Sequence, residues 1–246
     1  MASPILLNNI DHGDVRVLTG QSAAFGDAIN QVTVFPTEYE ALQREYPILF
    51  RRDPDGVYYS VALLGLDRDE NLFLGEDGWQ GQYVPALLQR GPFSIGVPAR
   101  GPGGEPLGEP MIHIDLDHPR VSRGTGENGG HPVFLPQGGN APYLDHVAGV
   151  LRTIFTGVEV TKSIFAAFKD YGLIEPIAIE IQVGNGRQYN VPDCYTISRE
   201  RLMQLDGAAL EKLHRADFLR AAIWVASSLQ NISRLVDTKT GREAAA

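Results

Sequence analysis

Between residues 46 and 93 short apolar runs of β type alternate with turn chemistry, and this alternation constrains the fold more than any other feature of the chain. Tyr46-Pro47-Ile48-Leu49-Phe50-Arg51-Arg52-Asp53 leads to Val61-Ala62-Leu63-Leu64-Gly65-Leu66 and then to Asn71-Leu72-Phe73-Leu74. Trp79, Tyr83-Val84-Pro85-Ala86-Leu87-Leu88 and Gly91-Pro92-Phe93 close the block. Residues 48–51 and 57–64 read as strands. Asp53-Pro54-Asp55-Gly56 between them is a turn, because proline presets φ and glycine accepts a positive φ. Residues 67–70 make the next turn, 71–74 a third strand and 75–78 another turn, which together specify an antiparallel meander. Thr37 is expected to cap a short helix over 38–45, ended by Pro47.

Beyond residue 142 the period changes. Leu144, Val147, Leu151, Ile154, Val158, Phe165 and Phe168 recur at three- and four-residue steps, the signature of an amphipathic helix. Gly157 is expected to kink or divide that helix, and Gly172 to be the left-handed residue that follows it. Residues 177–183 and 188–197 form a hairpin across Gly184-Asn185-Gly186, whose residues tolerate positive φ. Ser198 caps a further helix, and helices follow through 210 and over 218–236. Residues 91–108 are rich in Gly and Pro and 122–140 in Gly, with a strand over 111–116 between them. Residues before 32 are expected to be edge strands or a mobile lead-in. The expected class is α+β in a single domain over 1–246, β-rich at 32–116, with a Gly-rich loop at 117–142, a helix-rich part at 143–237 and a polar tail at 238–246.

With 43% hydrophobic and 21% charged residues the chain has ample material for a core. Its net charge of −9, without a run of Lys and Arg, opposes nucleic acid and anionic membrane surfaces. The most apolar helix candidate, 218–236, is interrupted by Arg220, Gln230, Asn231 and Arg234, whereas a bilayer span needs roughly 20 mainly apolar residues. No membrane insertion is expected. Cys194 is the single cysteine and residues 1–10 show no secretory pattern, so the expected compartment is the cytoplasm.

Among constellations that carry chemistry, His113-Ile114-Asp115 is the sharpest. On a strand, His113 and Asp115 share a face, and a His-x-Asp pair with a distant histidine is how non-haem oxygenases hold Fe(II). His131, His146 or His214 would be the third ligand, and His118 lies close by. A three-residue pattern recurs often by chance, so the leading expectation is no metal and no cofactor, with Fe(II) the alternative. The Gly clusters at 101–104 and 124–130 lack the Lys and Ser or Thr of a phosphate loop and read as flexible loops. Cys194 follows Asp193, whose charge would raise a thiol's pKa, so a small buried core residue is the better reading. Asp67 and Asp69 belong to a turn and are expected to face solvent. Asn231 has the sequon form but is expected to make a hydrogen bond fixing helix register. Tyr46, Phe50, Tyr58, Tyr59, Trp79, Tyr83 and Phe93 concentrate aromatics in one half of the chain. Most such rings pack a core, but a partner surface would use Trp79 and Tyr83, with Tyr46 and Phe50 beside them.

The order and spacing of the 46–93 block resemble the SapC family of bacterial proteins. The resemblance covers roughly 32–237, through the helix start Pro142-Tyr143-Leu144, the hairpin turn Gly186-Arg187 and the helix segment Ser228-Leu229-Gln230-Asn231. Two departures stand out. Arg90-Gly91 replaces the family's arginine and tyrosine before Pro-Phe, and the loop at 117–140 is longer and richer in Gly. The family name comes from a locus for bacterial surface-array proteins and is distinct from the peptide-transporter permease of the same name. Its relatives are encoded near outer-membrane uptake receptors and near halogenase-like or cupin-like oxygenases, and the resemblance supplies no reaction and no catalytic residues. The expectation is an accessory protein, not an enzyme, that binds a partner protein or peptide. The alternatives are an iron-dependent oxygenase-like enzyme and a binder of a small molecule or carbohydrate in the cleft between sheet and helices.

Overall fold

The computed structural model describes residues 4–96, 109–124, 129–184 and 186–245. The Gly cluster at 101–104, residues 125–128 of the second cluster, and Asn185 lie outside the described residues. The class is α+β, and the chain divides into two compact units: Met1–Phe25 with Ala86–Phe155, and Gly26–Pro85 with Thr156–Ala246.

The first unit holds two antiparallel three-stranded sheets. In one, Met111–Ile114 lies between Ile5–Leu6 and Phe93–Gly96. In the other, Val15–Val17 lies between Val121–Arg123 and His131–Pro132, so of the early segments Ile5–Leu6 is an edge strand as expected, whereas Val15–Val17 is a central one. The core joins Val15, Val17, Phe93 and Ile114 to Leu144, Val147 and Leu151 of the long helix Pro142–Asp170. Those three helical residues are the same steps of three and four that the sequence displays.

The second unit is built on a five-stranded antiparallel sheet in the order Ile174–Gln182, Gln188–Ile197, Ile48–Arg52, Tyr58–Leu63, Gln31–Val34. The first hairpin turns as expected. Gly56 has φ +79°, its N–H donates to the Asp53 carbonyl at 2.9 Å, and the Asp53 carboxylate accepts the Val57 N–H at 2.7 Å. The expected third strand does not join this sheet: only Leu74–Gly75 pairs, and with Gly78–Trp79 in a two-residue ladder. Gln31–Val34 takes that place beside Tyr58–Leu63. The second hairpin packs its Gln188–Ile197 strand against Ile48–Arg52 with Tyr195 opposite Phe50. Its register shifts between Ile177 and Ile179, where Asp193 adopts φ +55° next to Pro192. A bulge is where an interior strand tolerates a residue without an N–H.

The helices depart from expectation in three places. Thr37 is not the cap, because the turn starts at Pro36, and the Glu38 carboxylate reaches back to accept the Phe35 N–H at 3.0 Å. The expected 218–236 helix is two, Phe218–Ser228 and Asn231–Ala245, and the second carries the polar tail through 238–245. The long helix is not divided at Gly157 but runs from Pro142 to Asp170. A β-carbon at Gly157 would overlap the Phe35 side chain and lie 2.7 Å from Thr37 Oγ1, so close approach explains the glycine. Gly172 follows with φ +62°, and Ser198 and Asp206 cap the next two helices by accepting the N–H groups of Arg201 and Ala209. Among the described residues no helix is long and apolar enough to cross a membrane.

Two glycines of the long helix should therefore behave oppositely. Gly149 has nothing within 4 Å of a built β-carbon, so Gly149→Ala should stabilise by roughly 0.5–1 kcal/mol, the usual helical gain over glycine. Gly157→Ala should destabilise by about 1–3 kcal/mol, since overpacking outweighs propensity. Urea denaturation of both variants checks the sign of each.

Candidate functional site

The residues of the alternative iron site serve turns and ring contacts. His113 lays its imidazole against Gly96 of the neighbouring strand, where any β-carbon would overlap it, with Nδ1 3.2 Å from the Met111 carbonyl. Asp115 falls just past the end of that strand, and its carboxylate accepts the Asp117 N–H at 3.0 Å. His118 accepts the Arg120 N–H at 3.1 Å. His131 faces the Tyr143 ring with centroids 5.8 Å apart, while His146 and His214 are exposed on helices. Among the described residues no three His, Cys, Asp or Glu side chains gather where one ion could sit. Cys194 is 2% exposed, and burial raises its thiol pKa, followed in effect by the opposing charges of Arg51 and Asp193.

The aromatic residues converge more tightly. Tyr46 and Phe50 are fully buried, and Phe50 meets Phe165 edge-on at 4.8 Å. Trp79 and Tyr83 are half-buried. Tyr46 donates its hydroxyl proton to the Tyr83 carbonyl, and Trp79 Nε1 donates to the same carbonyl and to the Tyr46 oxygen, each at 3.1 Å. Tyr83 in turn donates to Glu38 Oε1 at 3.0 Å, while both Glu45 carboxylate oxygens accept the Gln82 N–H at 2.9 Å. Gly81 lies so close that a β-carbon there would overlap the Tyr46 hydroxyl and the Glu45 carboxylate. Burial pushes the Tyr46 and Tyr83 hydroxyls far above the usual phenol range, and the Glu38 charge adds to the shift of Tyr83. Both phenols therefore stay protonated as donors. No sequence signal marked Glu38 and Glu45 as 2% and 4% exposed, since helical acids usually face water.

The polar tail hides a second cluster. Lys239 is 8% exposed in its side chain and donates to Asp67 Oδ2 and Glu70 Oε1, both at 2.6 Å. Tyr189 donates to the same Asp67 oxygen at 3.1 Å. Asp67 thus does not simply face solvent; it anchors the last helix. Arg242 adds bonds of 3.0 Å to the Leu72 and Leu74 carbonyls, which fixes the segment expected to be a strand.

A third place is open. The tip of the first hairpin and the second half of the long helix enclose a groove of 560 Å³. Tyr58 and Phe165 form its aromatic lining, their rings stacked at 5.8 Å and 20°. Val57 and Val158 border it with 59% and 55% exposure. Lys162 and Lys169 stand along the helical side, and Asp55 at the turn. The sequence signal for it was the helical stripe through Val158 and Phe165; what could not be read was that the hairpin tip lies alongside it.

Comparison with protein families matches SapC to residues 7–235 of the chain. Comparisons with curated proteins and with solved structures give no match.

Two outcomes follow from the buried clusters. Trp79→Ala should lose about 2–3 kcal/mol of stability, somewhat less than a fully buried tryptophan because the ring is half-buried. A melting temperature unchanged from wild type would return Trp79 to the surface. The Lys239 cluster sets a pH window. The Lys239 hydrogen bond holds the Asp67 carboxyl below its usual range, against the opposing effect of burial. Burial works to lower Lys239, but bonds to Asp67 and Glu70 outweigh it and hold the ammonium above its usual range. The Asp67 contribution is present above about pH 4 and lost as pH falls further, and that of Lys239 is present below about pH 10 and lost as pH rises further. Lys239→Met should cost about 2 kcal/mol at pH 7, less than a fully buried pair, and should flatten stability below pH ~4 and above ~10 in denaturant titrations.

Proposed function

The chain belongs to the SapC family, and we propose that it is an accessory protein that acts by binding a partner protein or peptide. The observation that supports this most is the groove at the hairpin tip. Val57 and Val158 leave more than half their surface in water beside two aromatic rings. Burying such apolar area is worth about 25 cal/mol per Å², so an occupant that covers it gains directly. By contrast, the polar atoms of Tyr46, Trp79 and Tyr83 are engaged within the fold, with the Tyr83 hydroxyl committed to Glu38. In this reading the aromatic meander supplies a rigid frame, and the face it offers lies at the tip of its hairpin. The family resemblance favours service to bacterial surface-layer or outer-membrane uptake systems, and the single cysteine, Cys194, favours a reducing compartment such as the cytoplasm.

Val158→Asp and Val57→Asp should each lower partner affinity by roughly ten-fold or more, as loss of an interface anchor does. Both residues are exposed, so melting temperatures should stay close to wild type. Capture of the partner by wild type and by each variant, paired with a melting curve, checks this. Equal capture by both valine variants, with capture lost in a folded Trp79→Ala protein, would move the surface to Trp79 and Tyr83.

A further inference from the structure

We infer that the groove takes an acidic peptide segment, with an apolar side chain seated between Val57 and Val158 and carboxylates placed on Lys162 and Lys169; the inference rests on reading the groove as a partner surface. The argument begins with charge pairing. Exposed Arg44, Arg123, Arg187, Arg215 and Arg220 each lie within 3.8 Å of a carboxylate of the chain. Among the described residues no carboxylate pairs with Lys162 or Lys169, although acidic residues outnumber basic ones by 30 to 21. Exposed Arg68, Arg152 and Lys212 likewise pair with no carboxylate among the described residues, but of these cations it is Lys162 and Lys169 that border the exposed apolar strip, where they complement an occupant that brings its own acids.

Spacing narrows the occupant further. Val158, Lys162, Phe165 and Lys169 follow one another at four, three and four residues, so they share a helical face. Lys162 and Lys169 are seven residues apart, about 10 Å along the axis at 1.5 Å per residue. Carboxylates seven apart on a helical peptide match that separation. Arg52 is outside the lining, and its guanidinium is engaged with rings, 5.0 Å from the Tyr58 centroid and 5.7 Å from that of Tyr195, which leaves the two lysines as the positive groups of the groove. Asp55 stands at the turn, so the acidic end of the occupant belongs on the helical side. A polyphosphate chain is a poor fit, because the net charge of −9 repels it and the lining is aromatic and aliphatic.

The test uses fluorescence polarisation with labelled peptides of about 14 residues. A central leucine is flanked by two glutamates seven apart, with matched peptides carrying glutamine or lysine there. On wild type the glutamate peptide should bind about ten-fold tighter than the glutamine peptide, and the lysine peptide weakest. The double variant Lys162→Gln/Lys169→Gln should erase that preference, as should raising salt to about 1 M, where screening lengths fall to about 3 Å. Val158→Asp should weaken all three peptides. Equal binding of the glutamate and glutamine peptides would overturn the acidic class, while sensitivity of both to Val158→Asp would leave the groove as a partner surface. Absence of binding by any peptide, or full displacement by dodecanoate with equal affinity, would also overturn the inference. Melting curves confirm that each variant is folded, and partner capture by Val158→Asp judges the groove separately.

Discussion

The Ile48–Arg52 strand is central in the five-stranded sheet, between its own hairpin partner Tyr58–Leu63 and the second hairpin's Gln188–Ile197, and its entry is fixed by side chains from the far end of the chain. Ser228 Oγ accepts the Ile48 N–H at 2.9 Å, and Asn231 Nδ2 donates to the carbonyls of Gln43 and Tyr46 at 2.9 and 3.2 Å. Ser228 and Asn231 are buried, at 0% and 8% exposure. A buried donor or acceptor left unmade costs about 1–3 kcal/mol, so the helix break at 229–230 is a structural requirement and not an accident of propensity. Two short helices placed around that break can present Ser228 and Asn231 to the strand entry. The Asn231 bond reaches across the chain, where the sequence suggested a bond fixing helix register.

The same logic governs the charges. Glu38 and Glu45 are buried carboxylates, and each accepts a backbone N–H, that of Phe35 and that of Gln82, where an unpaired charge would be prohibitive. Lys239 is buried with two acid partners, and it ties the last helix to the loop that follows the first hairpin. These contacts close long loops, linking residues more than 160 positions apart. They make the loop at 67–83 part of the fold even though it contributes only two paired residues to a strand on each side of its turn.

What could be read from the sequence is what local chemistry decides. Gly56, Gly172 and Ser198 each sit where a turn or cap demands their type, and the helical step of Leu144, Val147 and Leu151 holds without tertiary information. The misread elements share a different cause. Residues 71–74 have strand composition, but Asn71 is held by its side chain on the Asp27 carbonyl at 2.8 Å, and Arg242 takes the carbonyls that a ladder would use. Gly157 looks like a breaker until Phe35 is seen against it. Lys239 looks like a solvated tail residue until Asp67 and Glu70 arrive from 170 residues away. His113 and Asp115 obey strand alternation only while the strand lasts, and it ends at Ile114. Of the candidate surface, Val158 and Phe165 were visible as a stripe; the hairpin tip beside them was not.

The groove owes its shape to that framework. Tyr58 is stacked on Phe165, meets Tyr195 edge-on at 5.2 Å and carries the Arg52 guanidinium on its face. Val57 is pinned because Asp53 accepts its N–H and Gly56 fixes the turn before it. Phe165 is held in turn by Phe50 and Phe168. An occupant would therefore meet walls already ordered by the sheet and the helix, and the ordering cost that usually erodes the affinity of a small interface would fall mainly on the partner. That asymmetry suits a small groove: its apolar area is modest, so specificity has to come from walls that do not move and from the placement of Lys162 and Lys169 beside them.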